Sequence, residues 1–207
     1  MLEVEVKVKT DTATIVPRLL EMGFVQGTSE YERDSYFNGE KIDLKAEDKA
    51  LRIRESRSCA PDSLERAPGS AGHALYYPPD TVQGQNSSCS RYVMNYKGPK
   101  IDNSTMTRAE TEFEIPSFEA GKNMLSGLGF HIAGVVEKTR VHYMKDEITC
   151  CLDTVTDLGE FLEIEIIAEE AEYENAMLRI SDLLLKLGLS MEDTVRESYL
   201  CMLQDKN

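Results

Sequence analysis

The feature that most constrains this chain is a set of short runs in which charged residues of both signs recur at every second position. Residues 2 to 9 alternate strictly, with Leu2, Val4, Val6 and Val8 against Glu3, Glu5, Lys7 and Lys9, which is the period of a β-strand. The same pattern returns in Arg52 and Arg54, in Arg108, Glu110, Glu112 and Glu114, in Lys138 and Arg140, and in Glu163 and Glu165. The intervening positions include Leu51, Ile53, Phe113, Ile115, Leu162, Ile164 and Ile166. Two arrangements satisfy this pattern. In an ordinary antiparallel sheet the apolar face covers a core and the charged face meets water. In the other, the apolar face lies outside a closed barrel beneath helices, and the charged faces converge in a lumen that holds a small ligand.

Further strand-like runs at 29 to 37, 50 to 55, 92 to 98, 107 to 115, 135 to 143, 147 to 153 and 158 to 167 bring the number to eight, a natural count for closing a barrel. Helical patterns fall at 117 to 128, 170 to 187 and 191 to 203. An earlier helix carries Ile15, Leu19, Leu20 and Met22, with Asp11 as its N-cap and Gly23 as its stop. Pro17 interrupts that helix, which is expected to begin near it or to bend there. The helices do not alternate with the strands, so a doubly wound parallel sheet is disfavoured. The expected fold is α+β: one domain over 1–207, an eight-stranded antiparallel closed β-barrel with a charged interior, flanked by about four helices. Residues 57–91, rich in Ser, Gly, Pro and Ala without a sustained period, read as a flexible insertion loop between two strands.

Residue type favours the enclosed arrangement. A solvated sheet face mixes Thr, Ser, Gln and Lys, whereas these faces concentrate Arg and carboxylates at i, i+2 spacing. Charges drawn together out of bulk water are costly unless paired or neutralised. A triphosphate with divalent cations gives such a lumen its reason: Arg and Lys neutralise phosphate oxygens, and carboxylates hold the metal.

The wider composition excludes several other classes. With 23 Lys and Arg against 37 Asp and Glu the formal charge is −14, which disfavours nucleic-acid binding. No apolar run approaches the length of a membrane span, and MLEVEVKVK does not resemble a secretion signal. A cytoplasmic location with no membrane partner is expected. The five cysteines lack C-x-x-C spacing, so neither a zinc site nor a disulfide framework is implied.

Glu3-x-Glu5-x-Lys7 matches the N-terminal signature of the CYTH superfamily, also called triphosphate tunnel metalloenzymes, which includes class IV adenylyl cyclases and thiamine triphosphatases. The chain resembles that family in order through ALRIRES, NYKGPKID, TRAETEFEI, EKTRVHY, LDTVTDLGEFLEIE and a C-terminal ESYLCML. The resemblance implies a tunnel in which Glu5 and Glu163 bind metal, with Glu3 or Glu165 supporting, and Mg²⁺ or Mn²⁺ as the cofactor. It implies that Lys7, Arg52, Arg54, Lys97, Lys138 and Arg140 grip the phosphates. Arg108 stands with them as a substrate-binding candidate, or else forms a pair with Glu110 inside the tunnel wall. Glu5, Lys7 and Asp153 are the catalytic candidates; Asp153 either orients a basic side chain or helps to hold a second metal. Glu112 and Glu114 are expected to be solvated or salt-bridged. His142 shares the inward parity and reads as a strand-end histidine near the tunnel mouth, and Tyr143 as packed under a helix.

The expected partner is a small-molecule triphosphate. Wording around KGPKID, EKTRVHY and LDTVTDLGEFLEIE is most like the class IV cyclase branch, which converts ATP to cyclic AMP and pyrophosphate. The alternatives are hydrolysis of inorganic triphosphate, a nucleoside triphosphate or thiamine triphosphate, and a non-catalytic polyphosphate or nucleotide-binding module. Barrel strands and C-terminal helices leave room for a homodimer.

Overall fold

The computed structural model describes residues 2–59, 90–101 and 105–206. Nearly all of the expected insertion at 57–91 lies outside the described residues. The strands are β1 (Leu2–Lys9), β2 (Val25–Gly39), β3 (Ala50–Ser58), β4 (Arg91–Lys100), β5 (Arg108–Glu114), β6 (Phe130–Lys145), β7 (Ile148–Val155) and β8 (Gly159–Ala168). They close into a barrel in the order β1-β5-β4-β3-β2-β6-β7-β8, with every neighbour pair antiparallel. The helices are α1 (Thr12–Glu21), α2 (Phe118–Gly127), α3 (Tyr173–Lys186) and α4 (Tyr199–Gln204).

Of the strands that run longer than their sequence patterns, β2 and β6 do so by the most. β2 and β6 pair from Val25↔Met144 to Gly39↔Phe130, with irregularities between Gln26 and Ser29 and between Tyr36 and Phe37. Residues 25–28 are exposed on both faces, so this part of β2 carries no alternation for a sequence reading to detect.

The apolar faces lie outside the barrel. Val4, Val6, Val8, Leu162, Ile164, Ile166, Cys150 and Leu152 are buried beneath Ile15 and Leu19 of α1 and Ala176, Ile180, Leu183 and Leu184 of α3. Tyr143 belongs to the same cluster. At about 1.5–3 kcal/mol per buried aliphatic side chain, this layer is what makes an inverted, charge-filled barrel affordable in stability. Around the circumference α2 covers Phe37, Ile53 and Met94 with Leu125. Gly121 makes that approach possible, because a Cβ there would stand 2.5 Å from Ile115 Cδ1 and 2.7 Å from Ile53 Cδ1.

Helix α1 differs from expectation in its start. Asp11 caps it, accepting from Ala13 N at 3.2 Å and Thr14 Oγ1 at 2.8 Å, so the helix begins at Thr12 and carries Pro17 inside it. Proline there removes the bond to the Ala13 carbonyl, and burial of Ile15 and Leu19 outweighs the loss. Gly23, at φ +85°, ends the turn as expected.

The pattern at 191 to 203 forms two short elements instead of one helix. A single 3₁₀ turn at Met191–Asp193 is followed by an extended pair, with Thr194 bridging Val8 and Val195 N–H donating to the Lys7 carbonyl at 2.7 Å. The cause lies in β1, which among the described residues shares the single register pair Glu3↔Arg108 with β5. Its farther half therefore has open backbone acceptors, and the β-branched Thr194 and Val195 satisfy them. Only then does α4 begin, capped by Ser198, which accepts from Cys201 N at 3.2 Å.

Candidate active site

The charged faces meet in the lumen around a cavity of about 420 Å³, whose walls include Glu3, Glu5, Lys7, Arg52, Arg54, Lys97, Arg108, Lys138, Arg140, Glu163 and Glu165. Strand register explains the convergence. Glu5 stands opposite Glu165 and Lys7 opposite Glu163, Lys97 opposite Glu110, and Arg140 opposite Asp153.

One wall is a saturated ion network. Asp153 is fully buried and does not line the cavity. Its Oδ1 accepts from Arg140 Nε at 2.6 Å, and its Oδ2 from Arg140 NH2 at 2.7 Å, Lys138 Nζ at 2.7 Å and the Tyr199 hydroxyl at 3.0 Å. Arg140 also bonds Glu163 and reaches Glu165 at 3.5 Å. Against the penalty of burial, Arg140 and Lys138 hold Asp153 below the usual carboxylate range, and Arg140, Lys138 and Lys7 do the same for Glu163. Asp153 thus bonds two of the expected phosphate-binding cations, Lys138 and Arg140.

A second wall holds residues that the sequence reading did not single out. Arg54 forks onto Asp34 at 2.7 and 2.8 Å and reaches Glu32 at 2.9 Å, while Arg52 donates to Asp34 at 3.0 Å. Burial opposes ionisation of Asp34, yet Arg52 and Arg54 hold it well below its ordinary range. Glu32 and Asp34 share the inward parity of β2, but Arg33 between them masks the alternation: it turns outward to Glu137 at 3.2 Å.

The third wall carries the acidic centre. Glu3, Glu5 and Glu110 each present an oxygen, and the three atoms lie within 4.8 Å of one another. Glu110 is also bonded by Lys97 and by Asn95 Nδ2 at 3.1 Å. Burial, reinforced by neighbouring carboxylates, raises Glu3, Glu5 and Glu165 to about 7. Such a cluster of hard oxygen donors fits a divalent cation of the Mg²⁺ or Mn²⁺ kind. The grouping differs from expectation, since Glu110 joins Glu3 and Glu5 whereas Glu163 is engaged by Arg140. Nor do Arg108 and Glu110 pair. Arg108 donates to the carbonyls of Gly98 at 3.2 Å and Met106 at 3.3 Å, which ties β4 to β5 at the lumen edge.

Donor capacity remains on a few cations. Lys7 meets Glu163 only at 3.9 Å, and Arg52 Nε is buried without a hydrogen-bond partner. His142 does not line the cavity; its ring meets Thr28 Oγ1 at 3.1 Å, and burial, then Arg140, lower its pKa. Glu112 lines the cavity, and Glu114 pairs with Arg91 at the surface. Among the described residues no helix is long and apolar enough to cross a membrane.

A closed antiparallel barrel of eight strands with four helices and this lumen is the CYTH fold. The chain matches the CYTH domain over residues 1–199 and belongs to that family, whose members are metal-dependent and bind triphosphate substrates. A relative from Methanocaldococcus jannaschii, "Putative adenylate cyclase MJ0240", is 31% identical over 202 residues, covering 97% of each chain. Among solved structures, PH1819 from Pyrococcus horikoshii OT3 is 30% identical, with a TM-score of 0.78 and 99% of each chain covered. "Putative adenylyl cyclase HpAC1" from Hippeastrum, described as having a dominant triphosphatase activity, shares the fold at 16% identity and a TM-score of 0.61, over 100% of this chain and 96% of that one.

Proposed function

We propose that this chain is a metal-dependent enzyme that acts on a triphosphate inside the barrel, with cyclisation of ATP to cyclic AMP and pyrophosphate as its reaction. The observation that carries the proposal is the meeting of three carboxylates within 4.8 Å with cations that keep unused donors, all in one enclosed lumen. Glu3, Glu5 and Glu110 are the residues suited to hold the metal. Bound there, a divalent cation would neutralise phosphate charge and lower the pKa of an attacking oxygen.

The chain's own groups do the rest. Lys7, Arg52 and Lys97 take up charge on the leaving phosphates, and Asp153 fixes Lys138 and Arg140 in the position where they face the substrate. In cyclisation the ribose 3′-oxygen bonds to the α-phosphorus, the bond to the bridging oxygen breaks, and pyrophosphate leaves. The hydroxyl proton must go to a base. Glu165 is suited to receive it, being raised to about 7 by burial, with Glu5 and Glu163 adding to the effect against Arg140.

Hydrolysis is the second reading, supported by the triphosphatase activity ascribed to the Hippeastrum protein. It uses the same lumen with water attacking the γ-phosphorus. Incubation with ATP, tripolyphosphate or thiamine triphosphate, with Mg²⁺ or Mn²⁺, followed by product separation, tests both. Cyclic AMP with pyrophosphate is the expected outcome, orthophosphate transfers the assignment to hydrolysis, and no product with either metal refutes an enzymatic role.

A further inference from the structure

Most inward cations of the barrel are already held by carboxylates. Arg54 makes three hydrogen bonds to Asp34 and Glu32, Lys138 and Arg140 are bonded to Asp153, and Lys97 is bonded to Glu110. A phosphate entering the lumen has to share these donors or displace their present acceptors. Lys7 is different. Its side chain is buried, 2% exposed, yet its nearest ion-pair partner, Glu163, stands at 3.9 Å, too far for a hydrogen bond.

What faces that ammonium is an aromatic ring. Tyr199 lies with its ring centroid 4.3 Å from Lys7 Nζ and 5.4 Å from Lys138 Nζ. The ring is fixed at three points: its hydroxyl donates to Asp153 at 3.0 Å, it packs edge to face with Phe161 with centroids 5.0 Å apart at 61°, and the preceding residues are tied to β1 through Val195 N–H on the Lys7 carbonyl at 2.7 Å. One segment therefore holds both the backbone and the side chain of Lys7.

We infer that Tyr199 is a positioning residue, whose ring packs against the Lys7 ammonium and leaves its N–H donors free for an incoming phosphate chain. The negative ring face compensates a desolvated cation without accepting its hydrogen bonds. A carboxylate at that position would compensate it too, but would compete with the substrate. Tyr199 lines the same cavity as Lys7, and its ring face takes none of the ammonium's hydrogen bonds, so the contact persists in the bound state and contributes to affinity. This inference rests on the triphosphate reading of the lumen and assigns to the C-terminal segment a part in recognising the substrate.

The test measures binding of inorganic tripolyphosphate to the full chain by calorimetry. Tyr199→Leu is expected to weaken binding between about twofold and thirtyfold, the range of a cation–π contact, and Tyr199→Phe is expected to restore it to within about twofold. Should the leucine variant fail to fold, phenylalanine at 199 carrying one, two or three fluorines keeps the shape and drains the ring face. Affinity should then fall stepwise with fluorination in an otherwise unaltered chain and fall less steeply in a Lys7→Met background, where only the more distant Lys138, at 5.4 Å, still meets the ring. Affinity that ignores fluorination, rises with it, or falls equally without Lys7 overturns the inference while leaving the triphosphate reading intact. Failure of the unaltered protein to bind tripolyphosphate with Mg²⁺ or Mn²⁺ overturns that reading, and this inference with it.

Discussion

Replacing Asp153 by asparagine should reveal how far the ion network holds the barrel together. The carboxylate is fully buried and accepts four hydrogen bonds, from two atoms of Arg140 and from Lys138 and Tyr199. Counting each charge-assisted bond at about 1.5–3 kcal/mol would give an implausibly large loss, because the orphaned cations keep other partners. Arg140 retains Glu163 and Glu165, and Lys138 retains Glu32 at 3.4 Å. The expected loss is therefore that of one broken buried ion pair with its shape preserved, about 3 kcal/mol. With a urea m-value of about 2 kcal/mol/M, the midpoint should fall by about 1.5 M at pH 7 with m unchanged. The sign with pH is fixed as well. The folded pKa of Asp153 lies below its ordinary value, so its contribution is present above the unfolded pKa and lost as pH falls through the folded one. The gap between the two proteins should close on acidification below about pH 4. A midpoint shift under about 0.5 M at pH 7 would show that the network adds little beyond geometry.

The metal-free protein should lose stability as pH rises from 5 to 8, because Glu3, Glu5 and Glu165 are raised to about 7 and their protonated forms favour the fold only below that range. Thermal melts with chelator should show this fall, and Mg²⁺ or Mn²⁺ should reverse it at pH 8; a flat profile would contradict the clustering of these carboxylates. Glu5→Ala should abolish turnover, by more than about 100-fold, while the chelated protein melts no lower than the unaltered one, since a like charge has been removed from a buried group. Retained activity would exclude Glu5 from metal binding. Gly121→Ala should destabilise by about 1–3 kcal/mol, read by urea titration, as its methyl meets Ile115 and Ile53; a neutral effect would show that α2 can shift without loss.

Much of this site was legible from the i, i+2 spacing together with residue type: alternation, a backbone property, puts the charges of each strand on one face, and the concentration of Arg and carboxylates turns that face inward. It brought Glu3, Glu5, Lys7, Arg52, Arg54 and Glu163 onto inward faces. It missed Asp34 and Glu32, since the outward Arg33 fills the gap between them and makes the run look uniformly charged. It could not pick out Tyr199, which stands in a helix of six residues, YLCMLQ, that is apolar in all but its last and reads as core packing. The company of Glu110 was likewise hidden. Whether a carboxylate meets Arg108, Lys97 or Glu5 depends on the stagger between strands, which is set by all eight staves together.

The cylinder is sealed by its two most distant staves. Every residue of β1 is paired with one of β8, from Leu2↔Ala168 to Lys9↔Phe161. A growing chain must therefore wait until nearly all strands have left the ribosome before its ionic lining is enclosed, and such long-range pairing is slow to form. Until then β1 presents a raw edge to its surroundings. The glutamates and lysines that later line the tunnel are, during that wait, the gatekeepers that discourage an unsealed sheet from pairing with its neighbours.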